Sequence, residues 1–260
     1  MSRLPARSRR VVMPGIAVSL LLFDGSPYAS ARPDLDVDAA IVFAVDMSSS
    51  IDPERADFQR IGHVKALRSP EVAAAIARGA RGCISITYVE WSVPGWLRTV
   101  LPWTRICTDA DRQAVADEID ARGDTGLERR GRGGTAVSYA LDVSSLLLDR
   151  MPGRADRKII DISANGTNNE GLSVTSARQR VLAKGHIVNA IVIDPAEPGV
   201  TDDLPAYFHD NVIGGPASFV VTPKSVEDYA HALKRKLVLE ISGNDAAGGD
   251  SVVRFAGLGP

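Results

Sequence analysis

The chain carries no excess of charge of either sign. Its 30 basic and 32 acidic residues leave a formal net charge of -2, which argues against a broad nucleic-acid footprint or a basic patch for membrane surfaces. Recognisable catalytic motifs are also missing. There is no GxxxxGK[ST] phosphate loop, and Gly131-Arg132-Gly133-Gly134-Thr135 lacks the lysine that such a loop needs. There is no GxSxG nucleophile elbow. The four histidines (His63, His186, His209, His231) are scattered without a His-x-x-x-His metal pair, and His186, at the start of an apolar run, reads as a structural histidine. No repeat, coiled coil or low-complexity domain is present. These absences favour a binding protein over an enzyme.

What is present begins with a distinctive N-terminus. Arg3, Arg7, Arg9 and Arg10 precede an apolar run from Val11 to Phe23, and Ala29-Ser30-Ala31 supplies small residues for cleavage. That order is the pattern of a secretory signal peptide over residues 1–31. The run is too short for a stable membrane span, which needs about 20 residues. The competing reading is a buried N-terminal helix, which Pro14 and Gly15 would interrupt. Ser8-Arg9-Arg10 matches a twin-arginine signal only in part. The expected location is the bacterial periplasm or the exterior.

Cysteine is scarce, with two residues, Cys83 and Cys107. An even pair in an exported chain suggests a disulfide, with two free buried thiols as the alternative. Residues 83–91 and 97–103 read as strands around the turn Ser92-Val93-Pro94-Gly95. Opposed positions of such a hairpin have index sums near 188, and the two cysteines sum to 190. A small adjustment would bring them face to face.

Strand-like and helix-like segments then alternate. Asp38 to Asp46 is a nearly continuous apolar run, as in a strand covered on both faces. A helical pattern starts at Pro53 behind Asp52 and continues toward Arg78, and another spans Asp109 to Ala121. Residues 122–134 form a polar, glycine-rich loop, with helix again from Thr135 to Arg150. Strands at Arg157–Ser163 and His186–Asp194 flank a helix at Ser173–Lys184. A short segment near Asp202–His209, a strand at 217–222 and a helix from Lys224 to Glu240 follow, before a tail at 243–260 rich in glycine and small residues. This order predicts a three-layer, doubly wound, mostly parallel α/β sheet with one antiparallel edge strand from the hairpin. Ligands bind such sheets beyond the carboxyl ends of the strands.

At that end of the first strand stands Asp46-Met47-Ser48-Ser49-Ser50. A carboxylate and two alternate hydroxyls on one turn can aim three oxygens at one hard cation. The plainer alternative is that the hydroxyls cap the next helix. Gly133-Gly134-Thr135 offers another hydroxyl at a loop-to-helix junction, and residues 161–171 crowd further oxygens onto the same rim.

Taken together, these motifs resemble a von Willebrand factor A domain carrying a metal-ion-dependent adhesion site (MIDAS), over roughly residues 37–240. Asp46-x-Ser48-x-Ser50 is similar to that family's first metal motif, and Thr135 after Gly133-Gly134 to its second. Thr87-Tyr88-Val89-Glu90-Trp91-Ser92, Val100-Leu101-Pro102-Trp103 and Asn168-Asn169-x-Gly171 resemble an exported bacterial subfamily of uncharacterised function. The resemblance implies a metal set of Asp46, Ser48, Ser50, Thr135 and Asn165. It implies Mg²⁺, with Mn²⁺ or Ca²⁺ as alternatives, and a protein partner that presents a carboxylate to the metal. Asn165 stands where the family has an aspartate, which removes one negative charge and weakens the expected affinity. Asp161 and Glu170 are the candidates to compensate, although Asp161 lies early enough on its strand to face the sheet instead.

Two alternatives accompany this reading. One is a degenerate A-domain scaffold without metal binding; the other is a metal-dependent hydrolase built on Asp46, which lacks an evident general base. Arg122-Gly123-Asp124 reads as a helix end rather than an adhesion tripeptide. Arg129-Arg130-Gly131-Arg132 reads as solvated loop, or as an attractor for an acidic partner.

Overall fold

A computed structural model describes residues 35–127, 133–193, 203–223, 225–243 and 252–253. The residues read as a signal peptide (1–31) and the basic run at Arg129–Arg132 lie outside them.

The first strand, β1 (Val37–Asp46), is buried along its whole length, which accounts for its unbroken apolar sequence. It pairs in parallel with β2 (Ile84–Trp91) on one side and β4 (Ala155–Ala164) on the other. Beyond β2 lies β3 (Leu97–Ile106), the antiparallel edge strand. Beyond β4 come β5 (Ile187–Val192) and the two-residue strands β6 (Val220–Val221) and β7 (Val252–Val253). The sheet is therefore seven-stranded, in the order β3-β2-β1-β4-β5-β6-β7. Within the stretch read as a loose tail, the β-branched pair Val252–Val253 extends the sheet in parallel beside β6.

Side-chain alternation divides the core into two layers. Ile41, Phe43 and Val45 face α1 (Pro53–Arg68), α2 (Pro70–Arg78), α3 (Asp109–Arg122) and α7 (Val226–Ser242). Ala40, Val42 and Ala44 face α4 (Val137–Asp149), α5 (Val174–Ala183) and α6 (Leu204–Asn211). Phe43 anchors the first layer, its ring edge-on to His63 at 4.8 Å and to Tyr88 at 6.3 Å. A fully buried ring of this size contributes roughly 1.5–3 kcal/mol.

The single helical pattern read from Pro53 to Arg78 is two helices. Ser69 closes α1 and caps α2 by accepting a hydrogen bond from the Val72 N–H, and Pro70 opens α2. Proline cannot continue the first helix because it has no N–H to donate.

In the hairpin, Trp91 opposes Leu97 and Val89 opposes Thr99, in keeping with the sum of 188 near the turn. Register shifts on either side of Tyr88 then raise it, so that Ile84 opposes Ile106. Those shifts bring Cys83 and Cys107 together, and the two are joined in a disulfide with Cα atoms 4.3 Å apart. Among the described residues no helix is long and apolar enough to cross a membrane.

The crossovers leave β1 and β4 in opposite directions, the first toward β2 and the second toward β5. A crevice opens between two such strands at their carboxyl ends. Asp46 ends one of them, and Asn165 follows the other.

Candidate metal centre

The strand ends carry a connected set of oxygens. The Asp46 carboxylate is fully buried and accepts the Ser48 N–H at 2.7 Å and, more weakly, the Asn165 N–H at 3.5 Å. Around it, the Thr135 hydroxyl donates to Ser48 Oγ at 3.3 Å, and Ser48 Oγ lies 3.1 Å from Ser50 Oγ. The Ser50 hydroxyl donates to Asn165 Oδ1 at 2.8 Å. All five residues singled out from the sequence thus meet at one place, from three separate loops.

Helix capping does not explain these hydroxyls. Asp52 caps α1 by accepting the Arg55 N–H, which leaves Ser48 and Ser50 free of that task. The last helix-side candidate behaves likewise: α4 begins at Val137, two residues after Thr135, and has no side-chain cap. The helix expected to open at Thr135 therefore starts later, and the Thr135 side chain turns to Ser48 instead.

The donor set fits a hard cation. The polar side-chain atoms of these five residues are all oxygens apart from the Asn165 amide nitrogen, which donates to the Ser50 carbonyl at 3.3 Å. Neighbouring ligands on an octahedron of about 2.1 Å radius stand about 3 Å apart. The Thr135–Ser48 and Ser48–Ser50 separations, 3.3 and 3.1 Å, match that spacing. Among the described residues no group of three or more His, Cys, Asp or Glu side chains gathers as a metal site. Any cation here would rest on one carboxylate and neutral oxygens.

Behind the cluster stands a buried relay. Gln59 of α1 donates to the Asp46 carbonyl at 2.9 Å and accepts from the Ser163 hydroxyl, which lies 3.1 Å from the Tyr229 hydroxyl. Burial holds the Tyr229 phenol well above its usual range, so it stays neutral. This relay ties the end of β1 to β4 and α7.

The Thr135 loop is held from both directions. Asn169 Oδ1 accepts the Thr135 N–H at 2.7 Å, and the Asn169 N–H returns a bond to the Thr135 carbonyl at 3.0 Å. Asn168 Oδ1 accepts the Ser138 N–H at 2.8 Å, and its own N–H donates to the Tyr207 hydroxyl. At Gly134 an added Cβ would stand 2.4 Å from Asn169 Oδ1, so glycine is needed for this approach. At the loop's start, buried Glu90 accepts the Asp124 N–H at 2.7 Å and pairs with Arg98 at 2.5 Å. Burial raises the Glu90 carboxyl above its usual range, against the opposing pull of the Asp124 N–H and Arg98.

Of the two carboxylates named as compensators, one stays beside the Thr135 loop and the other lies away from it. Glu170 accepts the Gly134 N–H at 3.1 Å, and Asp161 lies under α7, 2.6 Å from the Lys236 ammonium. His186 is 2% exposed, with Ser145 Oγ at 3.2 Å and Asp149 at 3.6 Å. Ser145 is equally buried, so this Ser–His–Asp grouping satisfies a histidine inside the fold. Arg122 ends α3 and Gly123 is its C-cap.

A family model described as "Protein of unknown function (DUF1194)" matches residues 36–245. The chain belongs to that family. No curated protein matches this DUF1194 member. Among solved structures, the pilus adhesin SpaC from Lactobacillus rhamnosus GG is similar at 15% identity and a TM-score of 0.57, over 79% of this chain and 31% of that one. Proximal thread matrix protein 1 from the mussel byssus, with a zinc-occupied MIDAS motif, is 21% identical with a TM-score of 0.56, over 80% and 48%. A von Willebrand factor type A protein from Catenulispora acidiphila is 14% identical with a TM-score of 0.54, over 79% and 43%. These likenesses show the von Willebrand factor A fold. The chain spans from about a third to about half of the length of these structures.

Proposed function

We propose that this DUF1194 protein is an exported binding module that depends on a divalent metal. In this reading Asp46, Ser48, Ser50, Thr135 and Asn165 hold Mg²⁺, with Mn²⁺ or Ca²⁺ as alternatives, and a carboxylate from a protein partner completes the coordination. The observation that carries the reading is the chain of oxygen contacts from Thr135 through Ser48 and Ser50 to Asn165, set over the buried Asp46 carboxylate. A dication beside one carboxylate retains one positive charge, and an acidic side chain from outside balances it. The zinc-occupied MIDAS named for the mussel protein supports a divalent cation, and the SpaC adhesin supports a binding role. The disulfide and the N-terminal signal pattern support export to the periplasm or beyond.

One observation favours a second reading, a scaffold that has lost metal binding. Ser50 and Asn165 hydrogen-bond each other reciprocally, through Oγ to Oδ1 and Nδ2 to the Ser50 carbonyl, which satisfies them without a cation. A pull-down from periplasmic extract compares Mg²⁺ with a chelator, using wild type and Asp46→Ala. The adhesion reading requires a partner retained by wild type in Mg²⁺ alone. A partner retained equally in chelator, or equally by the variant, favours the scaffold.

A further inference from the structure

The two most exposed large apolar side chains among the described residues stand at the crevice. Leu127 is 77% exposed and Leu172 is 68% exposed. Leu172 belongs to the loop after β4, where Asn168 Nδ2 donates to its carbonyl at 3.1 Å. The same loop fastens Thr135 through Asn169. Beside Leu172, an added Cβ on Gly171 would stand 3.0 Å from Ser138 Oγ of α4 and 3.4 Å from Pro94 Cγ. Pro94, at the tip of the β2–β3 hairpin, is exposed as well, so Pro94 and Leu172 border the crevice together. Leu127 follows Gly126, where an added Cβ would stand 2.5 Å from the Cα of Pro53, the first residue of α1. Pro53 comes three positions after Ser50. Because α1 and α4 cover opposite faces of the sheet, the two leucines flank the strand-end oxygens from opposite sides.

Single exposed leucines are ordinary on a protein surface, whereas apolar groups gathered around a polar recess mark an interaction site. The recess is deep: Asp46, Ser48, Thr135 and Asn165 are each no more than 5% exposed. A carboxylate on a side-chain stem reaches such donors, whereas the flat phosphate layer of a bilayer does not. In an extended segment the side chains at i−2, i and i+2 share one face. An acidic residue pointing into the recess then carries its neighbours at i−2 and i+2 toward the two flanks.

We propose that the partner presents an extended protein segment with one aspartate or glutamate at its centre and a large apolar residue two positions to either side. These apolar residues seat on Leu127 and on the Pro94–Leu172 pair. The inference rests on the metal-binding reading of the crevice and adds the chemistry that selects among acidic partners. The cation attracts any carboxylate, and the apolar flanks distinguish one from another. Covering about half of one leucine side chain changes affinity by up to about tenfold.

The test uses two acetylated, amidated peptides, Leu-Ser-Asp-Ser-Leu and Ser-Ser-Asp-Ser-Ser. Each is titrated into the full chain, followed by amide chemical shifts, in Mg²⁺ and in chelator. Wild type, Leu127→Ser, Leu172→Ser and the double variant are compared, with circular dichroism as the check on folding. Expected are Mg²⁺-dependent binding of both peptides and an affinity about tenfold higher for the leucine peptide. That advantage should shrink in each single variant and vanish in the double variant. Equal affinity for the two peptides in Mg²⁺, or an advantage that survives in the double variant, overturns this inference and leaves the metal reading standing. Peptide binding that is as strong in chelator overturns the metal reading itself, and the inference with it. No binding of either peptide at millimolar concentration overturns the inference. So does Mg²⁺-dependent sedimentation with phosphatidylglycerol vesicles that the double variant loses, since the leucines would then serve a membrane.

Discussion

At the carboxyl end of β4, Asn165 meets Ser50 and Asp46 in a cluster made of one carboxylate and several neutral oxygens. Four residues earlier on the same strand, Asp161 meets Lys236 and Glu240 in a cluster made of three ionisable side chains. The two differ in where the positive charge comes from. Below, α7 carries its own ammonium into the core, and its pairing with Asp161 locks helix to sheet. Above, main-chain N–H groups steady the carboxylate, and hydroxyl and amide oxygens around it stand at the spacing of a cation's ligands. Clusters a few residues apart can thus serve different ends, one closing a helix onto the sheet and the other offering ligands at its rim.

The largest expected effect lies in the lower cluster. Lys236→Met leaves Asp161 and Glu240 buried without their cation and should cost about 3–5 kcal/mol in urea unfolding. A cost below about 1 kcal/mol would break the comparison, because the ammonium would then not hold the cluster together. In the upper cluster, Asn169→Ala releases the Thr135 loop. It should lower Mg²⁺ affinity about tenfold, as loss of a ligand's supporting contact does, while lowering stability by only about 1 kcal/mol. Asn165→Asp restores a second charge to the rim and should tighten Mg²⁺ binding, by up to about tenfold; unchanged affinity would remove Asn165 from the metal set.

The last effect is a pH dependence. The Glu240 carboxyl is raised by burial to about 8 from an ordinary 4.5, so the fold favours its protonated form. Its contribution is fully present below about pH 4.5 and is lost as pH rises through about 8. Between pH 5 and 9 the thermal midpoint should fall further in wild type than in Glu240→Gln; an equal fall in both would remove Glu240 as the cause.

Much of the fold was legible because single strands announce themselves. β1 is buried throughout and reads as an unbroken apolar run, and the turn at Ser92–Gly95 places β2 against β3. The mostly parallel sheet follows from the alternation of elements, and the antiparallel edge from the hairpin; the strand order does not. The hairpin sum of 188 missed the shifts around Tyr88 that align Cys83 with Cys107, because local bulges leave no mark in apolar alternation. The break between α1 and α2 was available in Ser69-Pro70, but the apolar pattern on either side of it masked the stop.

At the crevice, Asp46, Ser48 and Ser50 share one turn, and Thr135 follows two glycines, so their convergence could be reasoned from strand ends. Their supports could not. Asn169 reaches Thr135 across 34 positions, and Gln59 reaches Ser163 across 104. Lys236 follows Lys234 and Arg235 in sequence, and nothing near it reveals that it pairs with Asp161.

The central claim is that these five residues form a cation site. Calorimetric titration of Mg²⁺, and in parallel Mn²⁺, into wild type and Asp46→Ala tests it most directly. The account predicts saturable, one-site binding to wild type that weakens by about 100-fold or more in the variant, beyond the loss of a supporting contact. No binding to wild type at millimolar metal, or the same binding in both proteins, would contradict it.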